Sequence, residues 1–260
     1  MSDRFWLALA TLGYGLAFIG SFYRVPSRLF KPTPLLFSCF VMAMGFHTTF
    51  LIQRGHVIQH CPVSTLFEIL VFVAWSLGLA YLIVGPLYRM TLLGALTAPA
   101  ICLILLSTQL FIPDKVALSF PKNPALELHA ALNILAYGAL GLAGLTGAVF
   151  LLQENWLKRK QFTGWLARWP SLHELARVQR HLLAYGLTLL TLGITAGLFI
   201  WGTRNWLILI WAASVWVLYL GLLVLSSLQR LSNKKTALFS LLIYVILLST
   251  FWNTKHIPYS

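Results

Sequence analysis

Residues able to bind a metal or move a proton fall inside or beside long apolar runs of this chain. His47 sits in one run, and Arg54 follows seven residues later on nearly the same helical face, two turns on. His56 and His60 close that stretch. A short polar loop through Cys61-Pro62 and Ser64-Thr65 then leads to Glu68, the one acid set inside an apolar segment, in the first turn of the next run. Further on, His129 opens a run with Asn133 and Tyr137 at i+4 and i+8, and His181 opens another with Tyr185 at i+4. Ionisable groups are costly to place in lipid-spanning segments, so each is a functional candidate.

Neutral imidazole suits iron, copper or zinc, and haem iron is held by axial histidines. A buried hard-cation site would want several carboxylates, and a Ser-His-Asp arrangement lacks an acid in the membrane. The three cysteines, Cys39, Cys61 and Cys102, form no C-x-x-C pair, which excludes a dithiol redox pair and covalent haem attachment through C-x-x-C-H. Noncovalent haem b therefore leads on donor chemistry. By depth, His47 with His129 is easier to place on one site than His47 with His181, with Arg54, His56, Glu68, Asn133 and Tyr137 as the polar groups around them.

The elements that position these groups follow from composition. With 59% hydrophobic and 10% charged residues and a mean hydropathy of +0.81, the chain is far from a soluble domain, whose charged fraction is near a quarter. It reads as a single all-α, polytopic integral membrane bundle over residues 1–260. Eight continuous apolar runs, near 5–23, 34–53, 66–87, 91–112, 127–152, 181–201, 206–227 and 236–252, are each about long enough to span a bilayer as a helix. Their continuity excludes an alternating barrel pattern.

The net charge of +13 lies in short loops, which is a topology signal rather than a nucleic-acid footprint. Thirteen of the nineteen Lys and Arg residues fall in the odd-numbered loops. The positive-inside rule puts those loops in the cytoplasm and both termini outside. The first apolar run lacks a small-residue cleavage site and reads as a span. The outer loop at 113–126 contains Pro113, Pro121 and Pro124 and cannot be one helix. In the long connection 153–180, Trp156, Trp165 and Trp169 read as interfacial anchors. Ser171 and Glu174 there form a capping box that should start a short amphipathic surface helix over about 170–180. The glycines at 138, 141, 144 and 147 offer a small-residue face for close packing.

Several of these segments, in this order, resemble the cytochrome c assembly membrane proteins of the CcsA type and their HemX-like and YpjD-like relatives. The resemblance rests on His47-Thr48, Arg54-Gly55-His56, Pro62 to Glu68, Phe72 to Trp75, Leu93 to Ala100, Leu128-His129, Leu135 to Leu140 and Leu189 to Trp201. It covers about residues 40–225. It implies a protein that handles haem b, with His47 and His129, at family ligand positions, as axial ligands, His181, which matches a histidine of the shorter relatives, as a second-site ligand, and Arg54, His56, Glu68, Asn133 and Tyr137 in support. The chain departs where the family has a tryptophan-rich haem loop followed by an acidic run. Here that loop is Gly202-Thr203-Arg204-Asn205, with Trp206, Trp211 and Trp216 nearby and no acid after Glu174. The second external histidine is also missing, so synthase-type haem attachment is not expected.

The expected function is therefore an accessory role in cytochrome c maturation or haem supply, beside lipid and other membrane proteins of that pathway. Two other classes stand beside it. One is a small-solute or ion transporter using Glu68 and His47 as a protonatable pair. The other is a scaffold that holds a partner subunit and uses no histidine.

Overall fold

The computed structural model describes residues 3–23, 34–87, 91–114, 123–159, 170–201 and 206–253. Eight α-helices account for nearly all of them: α1 (Asp3–Tyr23), α2 (Pro34–Ile58), α3 (Leu66–Leu87), α4 (Thr91–Phe111), α5 (Pro124–Lys158), α6 (Leu172–Trp201), α7 (Trp206–Ser227) and α8 (Asn233–Asn253). Each falls on one of the eight apolar runs, as expected when every backbone polar group must be satisfied within its own segment. Among the described residues, Leu66–Gly85, Pro124–Lys158, Leu172–Ile200 and Leu209–Ser227 are long and apolar enough to cross a membrane.

The helices form two four-membered rings. In the first, α1 packs on α2 and α4, and α3 closes the circle against α4 and α2. In the second, α5 packs on α6 and α8, and α7 closes it more loosely against both. The α3–α5 contact joins the rings. At that seam glycine is required by close approach. A Cβ on Gly138 would lie 2.2 Å from Ser76 Oγ and 2.7 Å from the backbone nitrogen of Leu77. Ser76 Oγ donates to the carbonyl of Ile134 at 3.0 Å, a polar stitch between rings. The other α5 glycines of the stripe face α8, where Gly141 meets Tyr244 and Gly147 meets Ala237.

Three expectations need correction. The capping box exists, with Ser171 N donating to Glu174 Oε2 at 2.9 Å and Glu174 N to Ser171 Oγ at 3.2 Å. It starts α6 itself, however, and the expected surface helix of 170–180 is the first turns of one 30-residue helix. Those turns stay paired with α5 because buried Gln179 and Gln153 tie them down: Gln179 donates to the Ala143 carbonyl and Gln153 to that of Pro170. Trp156 belongs to α5 and packs on the core, not in a connection. Likewise α2 runs past 53 to Ile58, so His56 is helical. Trp165, Trp169 and the Gly202–Asn205 loop lie outside the described residues.

Candidate functional site

The end of α2 is organised by Arg54, whose side chain is buried. Its Nε donates to Glu68 Oε1 at 3.0 Å, its Nη1 to Asp3 Oδ2 at 3.1 Å, and its Nη2 to Asp114 Oδ1. Arg4 adds a second cation on Asp114 at 2.9 Å. Three of the chain's six acids thus converge on one guanidinium. They come from the start of α1, the start of α3 and the residues just after α4. A buried arginine requires such partners, and its planar fork can serve several carboxylates at once.

Glu68 also caps its own helix. Its Oε2 accepts from Ser64 Oγ at 2.6 Å, Ser64 N at 3.1 Å and Thr65 N at 3.3 Å, while Glu68 N donates to Thr65 Oγ1 at 3.2 Å. This is the reciprocal capping box T-x-x-E. The structure therefore brings Glu68 to Arg54 and the 64–65 turn, not to His47.

His47 is completely buried. A carbonyl can only accept, so His47 Nε2–H donates to the Val71 carbonyl, at 3.1 Å. Nδ1 faces the Tyr14 hydroxyl at 3.5 Å, and that hydroxyl also reaches Met44 Sδ at 3.3 Å. The imidazole thus belongs to the first ring, held between α1, α2 and α3.

His129 belongs to the second ring, one turn and a half into α5. Its Nδ1–H donates to the Gly193 carbonyl of α6 at 2.7 Å. The ring sits against Gly197, where a Cβ would come within 2.7 Å of its Cε1. Asn133 donates to the His129 carbonyl at 2.8 Å, and its amide lies 3.3 Å from Nε2. Tyr137 continues this face, partly buried at the α3–α5 seam. The loop after α2 packs on the same seam: Cys61 and Val63 lie with Ile69, Phe72 and Val73 of α3 and Ala130 and Ile134 of α5. Arg54, through Glu68 and the 64–65 turn, thereby fixes a loop that rests on α5 at Ala130 and Ile134. Within that loop, His60 Nδ1–H donates to the Cys61 carbonyl at 2.9 Å. Burial and the nearby carboxylates of Glu127 and Glu68 push the Cys61 thiol up to about 11.

His181 stands apart. It is exposed, and it precedes Gly193 by twelve residues, about 18 Å along the helix. His56 is likewise exposed. The candidate residues therefore do not converge on one site. Asp3 and Asp114, which sequence reasoning missed, are 51 and 60 residues from Arg54, and no local pattern announces them. The Thr65-x-x-Glu68 spacing was a signal that could have identified the cap.

As a group with a defined tautomer, His129 suits a metal or haem iron. A histidine whose Nδ1–H is held by a backbone carbonyl presents Nε2 as its basic nitrogen. His47 presents the opposite tautomer in a closed apolar setting. Among the described residues no cluster of three or more metal-binding side chains occurs.

Fold and composition define a multi-pass helical membrane protein. Residues 63–254 match the family model described as "Cytochrome C assembly protein", and the chain belongs to that family. It is 30% identical over 175 residues to Protein HemX of Brevibacillus brevis, covering 66% of this chain and 64% of that one. It is 28% identical over 180 residues to the cytochrome c biogenesis protein CcsA of Chlorella vulgaris, covering 56% and 57%. Against CcsA of Marchantia polymorpha it is 26% identical over 207 residues, covering 64% of each chain. The chain thus spans between 57% and 64% of the length of these relatives.

Proposed function

We propose that this protein handles haem b without covalent attachment, as an accessory to cytochrome c maturation or haem supply in a bacterial inner membrane. The reading is supported by family membership and by one observation: the 2.7 Å bond from His129 Nδ1 to the Gly193 carbonyl, which readies Nε2 for iron. Bound haem would supply a redox-active iron at that nitrogen. Asn133 would set the ring's orientation, and Gly193 and Gly197 would keep α6 close enough to hold it.

The donor set rests on His129. His47 would join it only by giving up the Val71 carbonyl, and His181 would serve a separate site on the outer face of α6. Partner proteins would be membrane components of the same pathway, and both termini would face outward. Transport through a Glu68–His47 pair gains no support, because Glu68 commits both oxygens to Arg54 and its own helix start.

Detergent-purified protein from haem-replete cells should show a Soret band that His129→Ala removes. A colourless wild-type protein would overturn the haem reading. Indifference to His47→Ala, His129→Ala and His181→Ala together, with a copurifying membrane partner, would point to a scaffold instead.

A further inference from the structure

Two hydroxyls in the interior of the second ring have no hydrogen-bond partner among the described residues. Tyr219 on α7 is 1% exposed and Ser240 on α8 is fully buried, yet neither side-chain oxygen makes a hydrogen bond. A buried hydroxyl left unpaired is destabilising, and apolar residues would fill these positions at no such cost.

Helix register places Tyr219 level with Tyr244, and Ser240 one turn from Tyr244 on the same face of α8. On α8, Ser240 lies between Ala237, which faces Gly147 of α5, and Tyr244, whose hydroxyl is 2.5 Å from where a Gly141 Cβ would be. On α7, Trp216 donates to Thr191 of α6 at 2.8 Å. The α5–α6 pairs Asn133–Gly193 and Leu140–Gly186 bracket Thr191. Tyr219, about one turn on from Trp216, therefore falls level with the Tyr137–Gly141 turn of α5. Charged side chains of α5–α8 lie toward the helix ends, and Arg180 turns away to Asn233 at the start of α8.

We propose that Tyr219, Ser240 and Tyr244 form a binding site for a neutral oxygen ligand in the middle of the second ring. The shared chemistry is an uncharged oxygen that accepts from these hydroxyls. Two sources supply it: ordered water, or the carbonyl of an apolar molecule entering from the bilayer. A charged ligand is disfavoured because, among the described residues, no cation lines this level to balance it. The site is also the inner end of a polar row, since Tyr137, Asn133 and His129 follow on one face of α5 at four-residue spacing. It does not depend on haem at His129.

The test uses the full chain in detergent or lipid nanodiscs. Tyr219→Phe and Ser240→Ala each remove one hydroxyl and little else. With a filled site each variant lowers Tm. With a dry site Tm stays or rises, because an unpaired hydroxyl has been removed, and that result overturns the proposal. Hydroxyl-radical footprinting then separates the sources. Ordered water gives modification of Tyr219 well above that of other buried tyrosines. An apolar ligand instead gives a carbonyl compound, at near one per chain on solvent extraction, that the double variant lacks. A fall in Tm with neither signal assigns the loss to packing and also overturns the proposal. His129→Ala, which tests the haem reading, leaves the Tyr219 response unchanged, so the two ideas fail separately.

Discussion

Glu68 turns one carboxylate oxygen to Arg54 at 3.0 Å and the other to the turn that begins its own helix. One side chain thus couples the end of α2 to the start of α3, and Asp3 and Asp114 extend the tie to α1 and α4. Arg54→Met should cost about 3–5 kcal/mol, because it leaves buried carboxylates without their cation. Glu68→Gln should cost less, about 1–3 kcal/mol, since the amide still caps the helix. Arg54→Met with Glu68→Met should cost less than the two single changes summed. Unfolding in detergent micelles measures all of these. A loss below about 1 kcal/mol in Arg54→Met would show the network to be ornamental at its centre.

Gly197 and Gly193 are where α6 receives His129 and Asn133. A Cβ at Gly197 would stand 2.8 Å from His129 Nδ1, and one at Gly193 would stand 2.6 Å from Asn133 Oδ1. Gly197→Ala should therefore swing the imidazole off the Gly193 carbonyl, with an overpacking cost of about 1–3 kcal/mol. Any haem signal that depends on His129 should fall with it. Gly45→Ala is the control, because nothing lies within 4 Å of its added carbon. There stability should hold or rise slightly from helix propensity. Equal behaviour of the two variants would mean that the α5–α6 contact does not position His129.

What the sequence made legible follows the range of each interaction. Helices α1 to α8 were readable because lipid-spanning segments must be continuous and apolar. The Ser171–Glu174 cap was readable because it spans four residues. The same local logic applied to Thr65 and Glu68, but an acid beside an apolar run was read for chemistry before it was read as a cap. Asp3 and Asp114 had no such signal, because their meeting with Arg54 exists only once α1, α2 and α4 stand side by side. His47 shows the same limit. Its depth was clear from sequence, whereas its enclosure by Tyr14, Met44 and Val71 depends on packing across three helices. Tyr219 and Ser240 lie in runs so apolar that single hydroxyls drew no notice.

Cys61 should behave as an inert thiol. Burial, with Glu127 and Glu68 nearby, raises it from 9.0 to about 11. The neutral form is thus favoured in the folded protein. Its contribution to stability is present in full below about pH 9, and it is lost as pH rises through about 11. With Cys39 and Cys102 replaced by alanine, maleimide labelling of the native protein should be slow near pH 8 and still climbing at about pH 10. A plateau already reached near pH 9 would show an exposed, ordinary thiol.

The sidedness of the whole arrangement is the last expectation. Arg54 gathers the start of α1, the end of α2, the start of α3 and the residues after α4 at one end of the first ring. The His129–Gly193 bond sets the start of α5 beside the end of α6 in the second ring. An up-and-down array then places these on one side of the bilayer, opposite the connections and adjoining helix ends that hold thirteen of the nineteen Lys and Arg residues. Positive loops resist translocation, so the Arg54 network, His60 and His129 should face outward. Single cysteines at Gln59 and Gln161, in a background without Cys39, Cys61 and Cys102, should report this with an impermeant maleimide. Gln59→Cys should react in intact cells and Gln161→Cys only after lysis. The reverse pattern would put His129 on the cytoplasmic side, and any haem it binds would then be drawn from, or delivered to, the interior of the cell.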